Sequence, residues 1–403
     1  MYQQYRHANI INYTIVKVLL LVSVFTLLSI ALPVAAAVTP DDPSNFITTW
    51  NTENPGTSND NQITIPGNSG GYSYEIYWED IASSTINGTS TLITTVLYTL
   101  TFPAPGIYEV QISGDFPEFR FGFGCTDADQ LKLLSVDQWG DQVWREFAAA
   151  FFCARNMQLD AADTPDLSGV TTMQAMFQNA DSFSTDISNW DVSNVENFSQ
   201  MFKEADEFNQ PLNDWSTISA TDMFQMFFEA TSFNQPIQDW DVSNVTSMTA
   251  MFRNSPFNQT LNQWDVSAAV SLAAMFRDTS FNQPLDLWQT ASTTAMNLMF
   301  SNNTSFDQDL SAWDVSNVTN ATSIFENVSL SQVNLDATLE SWSQQSVLSD
   351  ISFHLGLKTY SEVGAAALQT LRDTYNWTIT EQYSAEYYPG PNASMIGDNI
   401  QSP

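Results

Sequence analysis

The phrase "FNQPLNDW" at 208–215 returns with small changes as "FNQPIQDW" at 233–240, "FNQTLNQW" at 257–264 and "FNQPLDLW" at 281–288. A fixed internal period restricts a fold more than any composition does, because each copy must meet its neighbours in the same way. Trp190, Trp215, Trp240, Trp264, Trp288 and Trp313 recur at a near-constant interval that never varies by more than one position. A second landmark, Met-Phe, recurs at 176–177, 201–202, 226–227, 251–252, 275–276 and 299–300, and becomes Ile-Phe at 324–325. Asp-Val-Ser-Asn-Val stands between them at 191–195, 241–245 and 314–318, altered to Asp-Val-Ser-Ala-Ala at 265–269. Residues 146–159 ("EFAAAFFCARNMQL") read as a divergent first unit.

A unit of this length cannot close a core alone. Stacked copies can, and stability then sums over units and their interfaces. The aligned Phe, Leu/Ile, Trp, Val and Met-Phe positions are the expected core, each large side chain contributing about 1.5–3 kcal/mol when fully buried. In "SNVTSMTAMFRNS" the apolar residues fall at 245, 248, 251 and 252, which is helical spacing. "SFNQPL" reads as a short extended piece. Pro211, Pro236 and Pro284 share one repeat position, and proline cannot donate to a sheet ladder, so that position is expected at a turn edge. The Asp of each Asp-Val-Ser is expected to hold a turn by accepting from nearby backbone amides. Asn209, Asn234, Asn258 and Asn282 are expected to form a ladder between units.

Six segments follow. Residues 1–37 read as a signal peptide, with Arg6 and Lys17, an apolar run of 14 at 18–31, and Ala35 and Ala37 before a cleavage point. The run is short for a membrane span, which needs about 20 residues; an uncleaved N-terminal anchor is the alternative. Residues 38–45 are a polar leader. Residues 46–120 hold short alternating runs such as "YEVQI" and read as a small β-sandwich. The repeat solenoid is expected over 121–330. Residues 331–381 read as a C-terminal cap with helices near 334–345 and 364–381, and 382–403 as a disordered tail.

Charge bounds the partners. The chain has 45 acidic and 11 basic residues, a net charge of −34. Loss of 1–37, with its two cations, brings this to −36. Such an imbalance excludes nucleic acid, whose phosphates need Lys and Arg. It suits a solvated surface in a salty medium.

The units together resemble the roughly 25-residue repeats of BspA-like leucine-rich-repeat surface proteins. The stretch "FITTWNTENPGTSNDNQITIP" with "PGIYEVQISGDFPEF" and "LLSVDQWGD" is similar to their leader region, which carries a PKD-like domain; "YSEVGAAALQTLRDTYNWTIT" is similar to their cap. The resemblance covers about 46–381. It implies a leucine-rich-repeat-like solenoid, one short helix and one short extended segment per coil, with a β-sandwich before it and an α/β cap after it. It implies a secreted or cell-surface protein and transfers no site residues. Here "YWEDIA" at 77–82 stands where PKD-type domains usually carry Trp-Gly-Asp-Gly, and Cys125 and Cys153 are not expected in the family.

No catalytic or cofactor site stands out. His7 lies in the signal, which leaves His354, in the alternating run "ISFHLGL", as the single histidine after residue 37; His-dependent nucleophilic catalysis and zinc sites need more. Cys125 and Cys153 are either bridged or two separate buried thiols. Asp127, Asp129, Asp160, Asp163 and Asp166 lie in acidic runs, but neither run matches a calcium loop, so weak or non-specific calcium binding is the most expected of them. The Trp series is read as core rather than as a carbohydrate platform, and the sequons at Asn244 and Asn317 as a by-product of the repeat text. The expectation is a non-enzymatic secreted or cell-surface protein that mediates adhesion or protein or glycan recognition through an extended repeat surface. "KEADE" (203–207), "FEATS" (228–232) and "RDTS" (277–280) would carry specificity, and no cofactor would be needed. The alternative is a self-associating component of the cell envelope or matrix. A carbohydrate-active enzyme, working through a carboxylate pair, is a third.

Overall fold

The computed structural model describes residues 38–381 apart from 69, 127 and 357. The expected signal peptide and tail lie outside the described residues. Among those described, no helix is long and apolar enough to cross a membrane.

Strands β1 (Phe46–Asn51), β3 (Ser73–Asp80), β4 (Ser83–Thr89), β6 (Ile107–Asp115), β7 (Leu133–Gln138) and β8 (Gln158–Leu159) form one six-stranded sheet in the order β4-β3-β6-β1-β7-β8. All its pairings are antiparallel except β7 with β8. Strands β2 (Gln62–Ile65) and β5 (Tyr98–Thr101) pair separately. The leader region is thus one large sheet and one two-stranded ribbon, where a sandwich of two matched sheets is expected. Alternation decides its buried face: Tyr108, Val110 and Ile112 of β6 are buried with Tyr74 and Ile76 of β3 and Phe46 and Trp50 of β1.

The helix-plus-strand solenoid is overturned. Among the described residues there are two helices, α1 (Gln332–Ser343) and α2 (Glu362–Tyr375), both after the repeats. Within 172–320 the units contain neither helix nor strand, only turns and single parallel bridges such as Asn197 to Asp222 and Asp222 to Ser247. The reason lies in the backbone. In the fourth unit, Met223 to Met226 and Phe227 to Ala230 are two successive turns closed by i+3 amides at 3.3 and 3.2 Å. Gln225 (φ 54°) and Glu229 (φ 56°) are left-handed, as a type II turn requires at its third residue. The same pair of left-handed positions recurs from Ala149 and Cys153 to Ser323 and Asn327. A left-handed residue every fourth position ends any helix, yet tandem turns still return side chains inward at three- and four-residue intervals. The 3-and-4 spacing of Met248, Met251 and Phe252 is that of the turns.

The amides left free by the turns bond the units to one another. Met223, Gln225, Phe227 and Glu229 donate to the carbonyls of Ser247, Thr249, Met251 and Arg253 at 2.8–3.0 Å. Four such bonds repeat at each junction from 147–153 through 296–302. Inside, Phe177, Phe202, Phe227, Phe252, Phe276 and Phe300 stack at 5.5–5.9 Å between centroids. Each packs face to face on the next Phe of its own unit, as Phe227 does on Phe233 at 3.8 Å. One apolar core runs from Phe46 to Trp377.

Candidate functional surface

The side chains aligned across units are already committed. Trp240 Nε1 donates to the Leu212 carbonyl at 2.7 Å, and Trp215, Trp264, Trp288 and Trp313 make the equivalent bond to the preceding unit. Trp215 and Trp240 stack at 6.3 Å, and the series is buried, as a core reading requires. The Asn ladder is present: Asn234, Asn258, Asn282 and Asp307 donate their amides to the side-chain oxygens of Asn209, Asn234, Asn258 and Asn282 at 2.9 Å. Gln235, Gln259, Gln283 and Gln308 reach back to the same residues' carbonyls. Pro211, Pro236 and Pro284 are exposed in stretches without ladder bonds.

Asp191, Asp241, Asp265 and Asp314 each accept the amide of the Ser two residues on, at 2.9–3.1 Å. Hydrogen bonds from Ser193, Ser267 and Ser316 hold the carboxyls of Asp191, Asp265 and Asp314 below the usual range. Asn244 and Asn317 donate to carbonyls of the previous unit, Ile218 and Ala291.

With these positions spent, unit-to-unit variety is carried at the position after Met-Phe. It holds Gln178, Lys203, Phe228, Arg253, Arg277, Ser301 and Glu326 in order. Lys203 Nζ and Arg253 Cζ lie 5.3 and 5.1 Å from the centroid of the Phe228 ring. Lys203 also faces Glu204 at 3.3 Å, and Arg253 and Arg277 share Asp278 at 3.4 and 3.2 Å. Three of the chain's 11 basic residues therefore line one stripe of an acidic molecule. The stretches 203–207, 228–232 and 277–280 named from the sequence meet in it. Arg253 was missed; its signal is its place in the same column as Phe228, one unit later.

The repeats match a described family. Its model, "Mycoplasma protein of unknown function, DUF285", matches residues 145–256 and again 237–342. No curated protein and no solved structure matches the chain. The DUF285 matches cover the stacked turns and reach into α1; of the six-stranded sheet only β8 lies inside them.

The remaining candidates are scattered. Cys125 and Cys153 are joined by a disulfide, Cα atoms 5.2 Å apart, which ties an exposed loop to a left-handed position of the first unit. Asp127 lies outside the described residues. Asp129 is buried and accepts the amides of Thr57, Ser58 and Thr64. Beside it buried Lys132 donates to the carbonyls of Ser58, Asn59 and Gln62, and burial pulls its pKa down. Asp163 accepts from Trp139 and Gly140, Asp166 from Ser168. Among the described residues no three His, Cys, Asp or Glu side chains gather as metal ligands. His354, on β9 (Ser352–Gly356), has Nδ1 3.3 Å from Ser323 Oγ and Nε2 buried without a partner. A cleft of about 380 Å³ lies along Asp115, Gln142 and Arg145, and another of about 460 Å³ between α1 and α2.

Proposed function

We propose that this chain is a secreted or cell-surface protein of the BspA-like kind, with a PKD-like leader, that binds an extracellular protein or glycan without catalysis. The observation that carries this reading is the division of labour within the unit. Trp, Phe, Asn and Asp positions are spent on stacking, while the position after Met-Phe, half-buried at Lys203, Phe228, Arg253, Arg277 and Glu326, changes its chemistry from unit to unit. A surface so built presents many weak contacts at ladder spacing, about 4.8 Å per unit, and gains affinity by their number. The DUF285 match of the repeats supports the placement among surface proteins of this type.

The test is binding of the purified chain to immobilised polysaccharides, matrix proteins and cells of the source organism. It is run at physiological and seawater-like salt, with and without calcium. Saturable, selective binding that weakens when Phe228 and Arg253 are replaced supports the reading. Selective turnover of a polysaccharide, or absence of binding to every surface tested, would sink it.

A further inference from the structure

We propose that copies of this chain associate side by side, unit facing unit, through a cation column on one copy and an Asp column on the next. In four successive units the position after Met-Phe holds Lys203, Phe228, Arg253 and Arg277. The position after Trp holds Asp191, Ser216, Asp241 and Asp265 in those same units. The offset between the two is identical in all four units. Cation, neutral, cation, cation therefore runs alongside anion, neutral, anion, anion.

Among the described residues no hydrogen bond or ion pair joins the two columns. Their offset is half of a unit, and buried Val195, Phe198, Met201 and Phe202 stand between Asp191 and Lys203. The bonds of the two columns run elsewhere: Lys203 to Glu204, Arg253 and Arg277 to Asp278, and each Asp to its own Ser amide. Those Asp residues are exposed. The cations hold their present partners at 3.2–3.4 Å with side chains 19–32% exposed.

A second copy placed alongside without axial shift meets three opposite charges at once. A slip of one unit one way leaves a single pair, Arg253 on Asp265; a slip the other way leaves two, Arg277 on Asp241 and Lys203 on Asp166. The aligned placement makes the most opposite pairs, and it carries one like-charge contact, Glu326 facing Asp314 at the last unit. The two columns are different patches, so the contact is head-to-tail and builds rows rather than a closed dimer.

The experiment is sedimentation velocity on the full purified chain over a concentration series, at about 0.15 M and about 1 M salt, where the Debye length falls from ~8 to ~3 Å. Two charge-reversed proteins accompany it, K203E/R253E/R277E and D191K/D241K/D265K, each checked for native circular dichroism. We expect the wild type to associate at the lower salt and to weaken at the higher. Either variant alone should associate at least about a hundredfold more weakly, since like charges now face each other. An equimolar mixture should associate again, because each reversed column finds its opposite. A wild type that stays monomeric throughout overturns the proposal. So does association that the cation variant leaves unchanged, or two folded variants that do not pair when mixed. If the Asp variant does not fold, the cation variant and the salt series decide.

Discussion

Replacing Glu229 tests the stacked-turn architecture with a change of sign. Glu229 is half-buried at φ 56°, its amide donates to the Arg253 carbonyl at 2.8 Å, and it follows Met223 and Met226 where a helix reading would put it mid-segment. Holding an L-residue left-handed costs about 1–2 kcal/mol, which glycine escapes. Glycine in turn loses about 0.5–1 kcal/mol of extra chain entropy relative to alanine. E229G should therefore be more stable than E229A by about 0.5–1 kcal/mol, and E229V should be the least stable of the three, since β-branching resists positive φ. A helix would give the reverse, with glycine about 0.8–1 kcal/mol worse than alanine. Using E229A as the reference removes the effect of deleting one negative charge. Urea unfolding followed by tryptophan fluorescence reads the difference. If E229G unfolds at lower urea than E229A, the left-handed turns are not the structural unit and the ladder argument falls with them.

Three further outcomes are expected. W240F should cost about 1–3 kcal/mol, combining the lost ring volume with one of the two hydrogen bonds on the Leu212 carbonyl, which keeps the Trp215 amide at 3.1 Å, and it is read by the same unfolding curves. N258A should cost about 1–3 kcal/mol because Asn282 and Gln283 both bond to its side chain, whereas N258D should cost less than half of that, since Asp307 fills the same rung for Ser331 and Asn334. Thermal melts against pH should rise and then fall on acidification. Burial holds the carboxyls of Asp137, Asp181 and Glu109 above their ordinary values, so protonating them on descent from pH 7 relieves a cost; Asp191, Asp265 and Asp314, held below 3.8, contribute stability above that value and lose it as pH falls through their lower folded values. On the alkaline side Lys358 is half-buried and pulled down to about 8 by that burial. Stability should rise between pH 8 and 10.5, because the folded chain gives up this costly proton while the unfolded chain still holds it, and K358M should flatten that limb.

What could be read in advance was whatever repeats at a fixed offset. The Trp and Phe columns, the Asn ladder and the Asp turns were legible because a side chain that recurs once per unit meets its own copy and must be compatible with it. The turns were not, for two reasons. An apolar residue at every third and fourth place satisfies both a helix and tandem type II turns. The residue that would have betrayed the turns, glycine, is absent: Gln225, Glu229, Ala250 and Asn254 occupy the left-handed sites. The one hint was the second of these sites, where Asn179, Asn254, Asn302 and Asn327 recur, since Asn accepts positive φ more easily than most. The pairing of β7 with β1 was hidden because it sets Thr48 against Val136 with all of β2 to β6 between them, a contact that leaves no local period.

Both ends of the stack are closed by the stack's own chemistry. At the first unit Trp139 meets Trp190 edge-on at 5.7 Å, and Phe46, Phe119 and Trp144 join Phe147 and Phe151 in one aromatic cluster. At the last, Trp342 of α1 donates to the Leu310 carbonyl, the bond each repeat Trp makes, and its ring stacks on Phe325 at 6.1 Å. Thr338 accepts the Leu310 amide and Gln345 the Val315 amide, which ties the cap to the backbone of the last unit. An open end would leave a row of backbone groups and a face of Phe and Trp in water, which is the template for unwanted end-to-end growth. Closing both ends removes that route. In the association proposed above, contact between copies would then fall on the flanks, where charge pattern rather than apolar area would decide the partner.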